Sequence, residues 1–463
     1  MIGVSKEFCA ASVGLMTYFR ALEEQMTKYF TVSLAILIAC FTIGCSNGSM
    51  NSVQATGTSA TLQTGDAAND QIVKFEMTIS SITLAGAGGT ANTANLLSGP
   101  AEVEFSHEAG AFEPLSLAHI PPGTYSGATM TVSNVEVVAI VAGVPTKLTI
   151  SLGSPNVSIA FSPNITVGSL PLFINFDLDV PNSLTISGTS ATVTPTFKVT
   201  TSTVASEGNE DNHDGEMDDV HGSVTNIAAP NFTIQTKSTT VIFATNSNTQ
   251  FRGGITQLSD LKTGDIVEVD GVTQSDGTKL ATKIERESDQ QGEEVEGIIS
   301  TLDNPLTTIT IVHQMDSTGS SSSPVTVNIG VNSTTVFSVR PDKLNITPPA
   351  FDATHIGKGQ RIEADATSNT PPLVAKTVKL REQALLGTVA ASPAPTTSGF
   401  TLNVSPTSAF GTLSGATTVP VTFANGAMLK ATPTPGMQIR VRGLVFFDGT
   451  AYSMIAVLDD DNN

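Results

Sequence analysis

The stretch Met77-Thr-Ile-Ser-Ser-Ile-Thr-Leu84 decides the fold, and Met130-Thr-Val-Ser-Asn-Val-Glu-Val137 repeats its pattern. In both stretches apolar side chains alternate with polar ones, which is typical of a half-buried β-strand. The alternation changes phase at Ser80/Ser81 and again at Ser133/Asn134. A straight strand would therefore turn half of its apolar side chains to water. We predict a β-bulge or a bend between two sheets at each site.

This prediction has a consequence for the burial of the apolar side chains on both sides of each phase change. If the strands bend, all of these side chains face one core and should be largely buried. The positions are Phe75, Met77, Ile82, Leu84, Met130, Val132, Val135 and Val137.

Short strand-like patterns continue along the chain of 463 residues. From Gln71 onward, short runs of Val, Ile, Phe and Thr are interrupted by Gly, Pro and Asn, and no amphipathic helix of three turns follows residue 70. Many short strands with frequent turn signals indicate sandwiches or barrels. We predict an all-β protein in which a β-sandwich over 71–204 is followed by three small five-stranded barrels.

The barrels are predicted from a pattern that occurs three times. Each copy opens with an apolar strand containing Gly, has a Gly followed by a second strand, and ends with a closing strand. The opening pairs are His221-Gly222, Glu296-Gly297 and Leu386-Gly387, and the later strands are Gly264–Val269, Gly359–Ala364 and Gly436–Val441. The predicted boundaries are 220–287, 288–382 and 383–463, and we expect the sandwich and the barrel array to be independent domains.

Two resemblances accompany these units. The region 71–204 resembles a β-sandwich family of unknown function in secreted bacterial lipoproteins, through Asp66-Ala67-Ala68, the turn Ile120 to Tyr125 and the strand Phe173 to Val180. The repeats resemble a second bacterial family of unknown function, whose five-stranded barrel is of the oligonucleotide/oligosaccharide-binding type. The first repeat fits best, because Gln360 and Met437 replace the Asp of Gly264-Asp265 in the other two. Neither resemblance implies a chemistry.

The N-terminal region has the pattern of an export signal. Fifteen mostly apolar residues, 29–43, follow Lys28, and Met26 is a plausible true start. This run is short for a membrane span but suits a signal peptide. The following Thr42-Ile43-Gly44-Cys45 resembles the lipobox of bacterial lipoproteins, which implies removal of 1–44 and lipidation of Cys45. The alternative is an ordinary signal peptide or an N-terminal anchor.

Cysteine usage agrees with lipidation. The three cysteines are Cys9, Cys40 and Cys45, so the chain after Cys45 cannot form disulfides or cysteine metal sites. Ser46 follows Cys45, and in the resembling family a residue other than Asp there implies sorting to the outer membrane. The Ser/Thr/Gly-rich residues up to Asp70 are predicted to be a flexible tether over 45–70.

Composition disfavours nucleic acid as a partner. The net charge is −20, charged residues are only 14%, and there is no Trp. A strongly acidic surface repels phosphates, and few aromatic side chains are available for base stacking. Part of this charge lies in the segment Glu207 to Asp219, which has seven acidic residues and no Lys or Arg. We predict a solvated linker over 205–219.

The sequence of that linker resembles the beginning of a calcium-binding loop at Glu210, Asn212, Asp214 and Gly215. Position 12 of such a loop would be His221 rather than Glu, and no helices flank it. Weak calcium binding is kept as an alternative to a purely solvated linker.

No residue is assigned a catalytic, cofactor-binding or metal-binding role. The tightest group of His and carboxyl residues, Glu104, His107 and Glu108, is expected to face solvent. The phenylalanines at strand positions are expected in the core, namely Phe173, Phe176, Phe232 and Phe243. The basic residues of the closing strands are expected mostly on the outer faces as solubilising groups rather than as a binding stripe, namely Lys279, Lys283, Arg286, Lys376, Lys379 and Arg381.

Together these observations predict a non-enzymatic, lipid-anchored bacterial envelope protein with a structural or binding role. The residue Ser46 after Cys45 favours the outer membrane as its location. Its partners would be the membrane, through the lipid, and an envelope protein or glycan, with no nucleic acid and no cofactor. The alternatives are a glycan-binding or adhesion protein and, third, a carbohydrate- or polymer-active enzyme.

Overall fold

The computed structural model describes residues 57–67, 71–106, 113–203, 216–274, 276–288, 294–316, 325–339, 347–367, 370–428 and 433–460. The regular secondary structure of these residues is almost entirely β-strand, which confirms the all-β prediction. Among them, no helix is long and apolar enough to cross a membrane. Cys45, His107, Glu108 and most of the acidic linker lie outside the described residues.

The described residues of the sandwich form twelve strands and one short helix. One sheet has the order β12-β9-β1-β4, a second has β3-β2-β5-β6 with β8 also on β5, and a small third has β10-β11-β7. The elements are β1 Thr58–Ala67, β2 Ile72–Ala87, β3 Ala101–Glu104, β4 Glu113–Ile120, β5 Gly123–Val141, β6 Val144–Lys147, β7 Thr149–Leu152, β8 Asn156–Val167, β9 Leu172–Asp179, α1 Val180–Ser183, β10 Leu184–Ser187, β11 Ser190–Val193 and β12 Phe197–Thr203.

Strand β1 corrects the predicted tether. Residues Thr58–Ala67 lie inside the first sheet, antiparallel to β4 and parallel to β9. Ala60 and Leu62 point into the core and are 1% and 0% exposed. The segment is rich in Thr, which suits a strand as well as a linker, and only its central place in the sheet decides between them. The tether prediction is therefore wrong for residues 58–67.

Both predicted bulges are present where β2 pairs with β5. The register passes from Ile79↔Val132 to Ser81↔Thr131, so Ser80 is the extra residue on β2. On β5 the extra residue lies next to Asn134, whose φ is +50°. The burial prediction is confirmed as well. Seven of the eight apolar positions are fully buried, and Val135 is half-buried against the same core.

The first two barrels each form a ring of five strands, and a short sixth strand pairs with the last strand further along the edge that closes the ring. In the first, the ring β15-β14-β13-β17-β18 closes through β15–β18 and carries β16; in the second, β21-β20-β19-β23-β24 closes through β21–β24 and carries β22. The strands are β13 Glu216–Ala228, β14 Asn231–Gln235, β15 Thr240–Ala244, β16 Gln250–Arg252, β17 Ile266–Thr273, β18 Lys279–Ser288, β19 Glu294–Leu302, β20 Thr308–Asp316, β21 Thr326–Gly330, β22 Val336–Val339, β23 Arg361–Ala366 and β24 Leu373–Leu380.

The third repeat is a closed barrel with the ring β25-β26-β27-β29-β28. In all three rings the third and last strands are parallel and close the barrel. The elements are β25 Gln383–Val389, β26 Gly399–Val404, α2 Ala409–Ser414, β27 Thr418–Met428, β28 Gln438–Phe447 and β29 Tyr452–Asp460. The predicted three barrels are thus observed. Residues Glu216 to Asp219 belong to β13, so the linker prediction is wrong for them.

The repeated glycines have a steric cause. A Cβ on Gly297 would lie 2.0 Å from the Val312 carbonyl oxygen, and one on Gly387 would lie 2.1 Å from that of Asn403. No side chain fits there, so the opening strand of these barrels requires glycine where its partner bends across it. The second repeated glycine, such as Gly264 with φ +93°, adopts a left-handed conformation that L side chains rarely take.

The sandwich and the barrels pack against one another. Val73, Val138 and Ile140 of the sandwich share a buried apolar cluster with Ile298 and Val312 of the second barrel. The second and third barrels also meet through apolar and polar contacts, including a hydrogen bond of 2.8 Å from Gln360 Nε2 to the Val445 carbonyl oxygen. Residues from Thr56 onward form one compact unit. The expectation of an independent sandwich and barrel array is not met by these contacts.

Candidate functional site: a buried charge cluster between two barrels

Outward-facing side chains of the first barrel meet those of the second. In β17, Val267 and Val269 fill the barrel core, so alternation turns Glu268 outward. In β23, Ile362 and Ala364 are core, and Glu363 points outward by the same rule. On an isolated barrel such carboxylates would be in water. Here the side chains of Glu268 and Glu363 are both 0% exposed, because each barrel covers the other.

We call the resulting group the junction cluster. Among the described residues it contains eight carboxyl groups and five cationic groups connected by ion pairs, and none of these side chains is more than 16% exposed. Its members are His221, Glu268, Asp270, Lys283, Glu285, Glu287, Glu294, Glu296, Arg361, Glu363, Asp365, Lys379 and Arg381.

Two cations at the end of β24 connect the two barrels: Lys379 within the strand and Arg381 directly after it. Nη1 of Arg381 lies 3.5 Å from Glu268 Oε2 in the first barrel and 3.2 Å from Glu363 Oε2 in its own. Nζ of Lys379 lies 2.6 Å from Glu363 Oε1 and 3.9 Å from Glu285 Oε1. Burial alone would lower the pKa of Lys379, but the Glu363 and Asp365 carboxylates outweigh it and raise that pKa. Both side chains therefore act as cations that connect the barrels.

His221 is the cationic group on the other side of the cluster. Its Nδ1 lies 3.0 Å from Glu287 Oε2, and its Nε2 lies 3.9 Å from Glu268 Oε2. Burial disfavours the imidazolium, but Glu287 and Glu268 outweigh this and raise the pKa of His221 to about 10. Burial would likewise raise the pKa of Glu287, yet His221 holds it well below its usual range. His221 and Glu287 thus form a charged pair at neutral pH.

Glu294 has the opposite environment. Burial comes first among the causes that raise its pKa well above the usual range, followed by the carboxylates of Glu287 and Glu363. Burial and Glu363 also raise the pKa of Asp365, to about 6. A carboxyl group surrounded by carboxylates in a buried place takes up a proton more readily than one in water. Glu294 is therefore the member of the cluster that favours the neutral form.

The spacing of some carboxyl groups would also suit a metal ion. His221, Glu268 and Glu287, and likewise Glu287, Glu294 and Glu363, offer donor atoms within 4.8 Å of one another. However, Lys379 and Arg381 already contact Glu363, and His221 already contacts Glu287. A divalent cation would have to lie beside these positive groups. The geometry therefore assigns the carboxylates to ion pairs with side chains.

Two predictions about charged residues are corrected. Glu104, expected in solvent, is 6% exposed, and its Oε1 accepts a hydrogen bond of 2.8 Å from the Phe75 backbone N–H. Among the closing-strand bases, Lys283 and Arg381 are each 7% exposed, as is Lys279, whose pKa is lowered by burial. Lys376 is exposed, as predicted. The four phenylalanines expected in the core are confirmed there, namely Phe173, Phe176, Phe232 and Phe243.

The sequence analysis missed the junction cluster. It interpreted the chain around Glu287 and Glu294 as a boundary between barrels and noted His221 only as an isolated residue. One available signal was the repeat itself, because Glu268 and Glu363 occupy the same place after Gly264 and Gly359. A carboxylate at the same outward position in two repeats is the pattern expected if the two barrels pack against each other through that face.

Comparisons with known proteins support the barrel architecture. Residues 221–285 match the family model described as domain of unknown function (DUF5666), which covers most of the first barrel. This agrees with the resemblance found in the first repeat. No curated protein matches the chain.

Two solved structures are similar to parts of the chain. A Drosophila structure described as Unr CSD456 is 12% identical, with a TM-score of 0.14, and the match covers 53% of this chain and 99% of that one. A multidomain protein with nucleic acid binding domains from Streptococcus pneumoniae is 11% identical, with a TM-score of 0.12, and the match covers 51% and 72%. With TM-scores this low, no argument about this chain rests on either.

Proposed function

We propose that this chain is a non-enzymatic, lipid-anchored bacterial envelope protein that presents a rigid array of β-modules close to a membrane. The observation that carries the structural part is the buried contact between modules. The outward charges of the first two barrels face each other, and the sandwich shares an apolar cluster with the second barrel. Such contacts suit a scaffold whose parts keep a fixed arrangement.

The anchoring part rests on the sequence. The apolar run 29–43, Gly44 and a chain without cysteine after Cys45 support lipidation of Cys45 and, with Ser46, an outer-membrane location. Only twelve residues separate Cys45 from Thr58, where the sandwich begins. Fully extended they would span roughly 40 Å. The array would therefore be held near the lipid surface.

The arrangement of charges argues against an enzyme and against nucleic acid as a partner. The carboxyl groups that converge at the junction are buried, with the side chains of Glu287 and Glu294 only 1% and 5% exposed, so a substrate would not reach them. A basic groove would need free cations on the closing strands, but three of these cations are paired with carboxylates, namely Lys283, Lys379 and Arg381. Phosphate backbones need accessible cations.

A glycan-binding or adhesion protein is the alternative. It would require accessible aromatic side chains for stacking on sugars. Among the described residues, the exposed large apolar side chains are aliphatic, namely Leu117, Val144, Leu170, Ile242 and Val336. The structural role is therefore favoured. Binding of the purified protein to envelope polysaccharide would reverse this preference.

Mass spectrometry of the mature N-terminus tests the anchor. We expect an acylated Cys45 as the first residue, and we expect Cys45→Ser to move the protein from the membrane fraction to the soluble fraction. Cys40→Ser is the matched control and should leave fractionation unchanged, because residue 40 would be removed with the signal. An unacylated mature N-terminus at another residue would refute the proposal.

A further inference from the structure

One end of the sandwich gathers three loops around the start of β1. Thr58, the first residue of β1, pairs with Ile120 directly before the β4–β5 turn. β9 runs parallel to β1, so the β8–β9 loop lies at the same end. The β2–β3 loop reaches it too, because the Thr124 backbone N–H donates a hydrogen bond of 3.1 Å to Thr90 Oγ1. We call these loops the Thr58 end, which comprises residues 88–93, 121–122 and 168–171.

The Thr58 end presents an uncharged and partly aliphatic surface. Its three loops contain no Asp, Glu, Lys or Arg, although the chain has a net charge of −20. Leu170 is 47% exposed in the β8–β9 loop. Pro121 and Pro122 are exposed in the β4–β5 turn. An exposed aliphatic side chain among uncharged residues can enter the boundary between lipid headgroups and acyl chains without burying a charge.

The length of the tether decides which end of the sandwich lies at the lipid. This inference rests on the proposed anchoring at Cys45, which leaves twelve residues between the lipid and Thr58. A flexible chain of that length has a typical end-to-end distance of about 20 Å. The β5–β6 hairpin at the opposite end is separated from the Thr58 end by the nineteen residues of β5, which span roughly 60 Å. The tether therefore holds the Thr58 end, and not the hairpin, close to the lipid.

We propose that the Thr58 end is a lipid-contacting surface, in which the Leu170 side chain enters the headgroup boundary of the membrane that holds the Cys45 lipid. A single aliphatic side chain binds lipid weakly by itself. Attachment through a short tether raises the effective concentration of the loop at the membrane, so a weak contact becomes populated. The contact fixes an orientation in which β5 leads away from the membrane.

Negative charges near this end limit the depth of the contact. Asp276 in the β17–β18 hairpin is exposed, and a Cβ on the next residue, Gly277, would lie 3.9 Å from Ser59 Oγ. Thr203, the last residue of β12, also lies at this end, and the acidic segment Glu207 to Asp219 follows it. Carboxylates are costly to transfer into lipid. We therefore expect a shallow contact with a surface that carries no net negative charge.

The chain has no Trp, so a single Trp introduced by substitution reports on its own surroundings. The chain from Cys45 onward contains every described residue and has one thiol, which can be coupled to a maleimide lipid in phosphatidylcholine vesicles. On coupling, we expect the emission of Leu170→Trp to shift to shorter wavelength and to be quenched by lipids brominated in the upper part of the acyl chains. Val144→Trp is the matched control. Val144 is 60% exposed in the distant hairpin, and emission there should not change on coupling.

A second measurement uses the chain without a Trp. Deuterium exchange of the backbone amides of residues 168–170 should slow when the protein is coupled to the vesicles, whereas exchange of residues 142–144 should stay the same. This comparison removes any affinity for lipid that the indole ring itself adds.

Equal quenching of the two Trp variants, or unchanged exchange at residues 168–170, would overturn the proposal. A shift that already occurs in the uncoupled protein and grows with its concentration would also overturn it, because a second copy of the chain would then cover this surface. The lipid is attached chemically, so these results do not depend on acylation in the cell. Failure of the anchoring proposal is detected separately, by mass spectrometry of the mature N-terminus.

Discussion

Replacing Arg381 with Met removes one of the two cations that contact both barrels, the other being Lys379. Nη1 of Arg381 lies 3.5 Å from Glu268 and 3.2 Å from Glu363, whose side chains are 0% exposed. With an effective dielectric constant of about 20, each contact is worth about 5 kcal/mol of Coulomb attraction. Desolvation of the guanidinium cancels much of this. Removing one partner of a buried ion pair typically costs about 3–5 kcal/mol, and we expect a loss of that size.

Urea denaturation followed by circular dichroism measures this loss as a change in the free energy of unfolding. Lys376→Met, at an exposed position of β24, is the control and should change stability by less than about 0.5 kcal/mol. Adding Glu268→Gln to Arg381→Met should recover part of the loss, because it removes a charge that Arg381 compensated. A loss below about 1 kcal/mol, or no recovery, would show that the junction does not depend on this pair.

Two further perturbations test the barrels themselves. Gly297→Ala places a Cβ 2.0 Å from the Val312 carbonyl oxygen, so we expect a low thermal unfolding midpoint. Gly168→Ala is the control, because its Cβ would meet nothing within 4 Å, and its midpoint should be well above that of Gly297→Ala. Equal midpoints would contradict the steric argument. Burial raises the pKa of Tyr452 to about 12, and its neutral O–H donates to the Lys358 carbonyl oxygen. The contribution of this protonated hydroxyl to the stability of the folded state should be present below pH 10 and lost from about pH 10 to 12. The wild type should therefore lose more stability over that range than Tyr452→Phe. Parallel curves of stability against pH for the two proteins would refute this.

The sequence by itself determined the fold of each module. Alternation of apolar and polar residues is a local property of a strand, so it predicted the strands of the sandwich and both bulges beside Ser80 and Asn134. The repeated glycines predicted three barrels because the closed ring needs a residue without a side chain at the same point each time, as at Gly297. These requirements act within a few residues or between neighbouring strands, and a sequence records them directly.

Only the tertiary structure decided which outward faces are in solvent. Alternation shows that Glu268, Lys379 and Arg381 leave the core of their own barrel, but it contains no information on whether another barrel covers them. The same applies to β1, whose Thr-rich segment became the centre of a sheet because β4 and β9 lie on either side of it. The burial that shifts the pKa of Glu294 comes from residues far apart in the chain. The candidate site is therefore a property of how the modules pack.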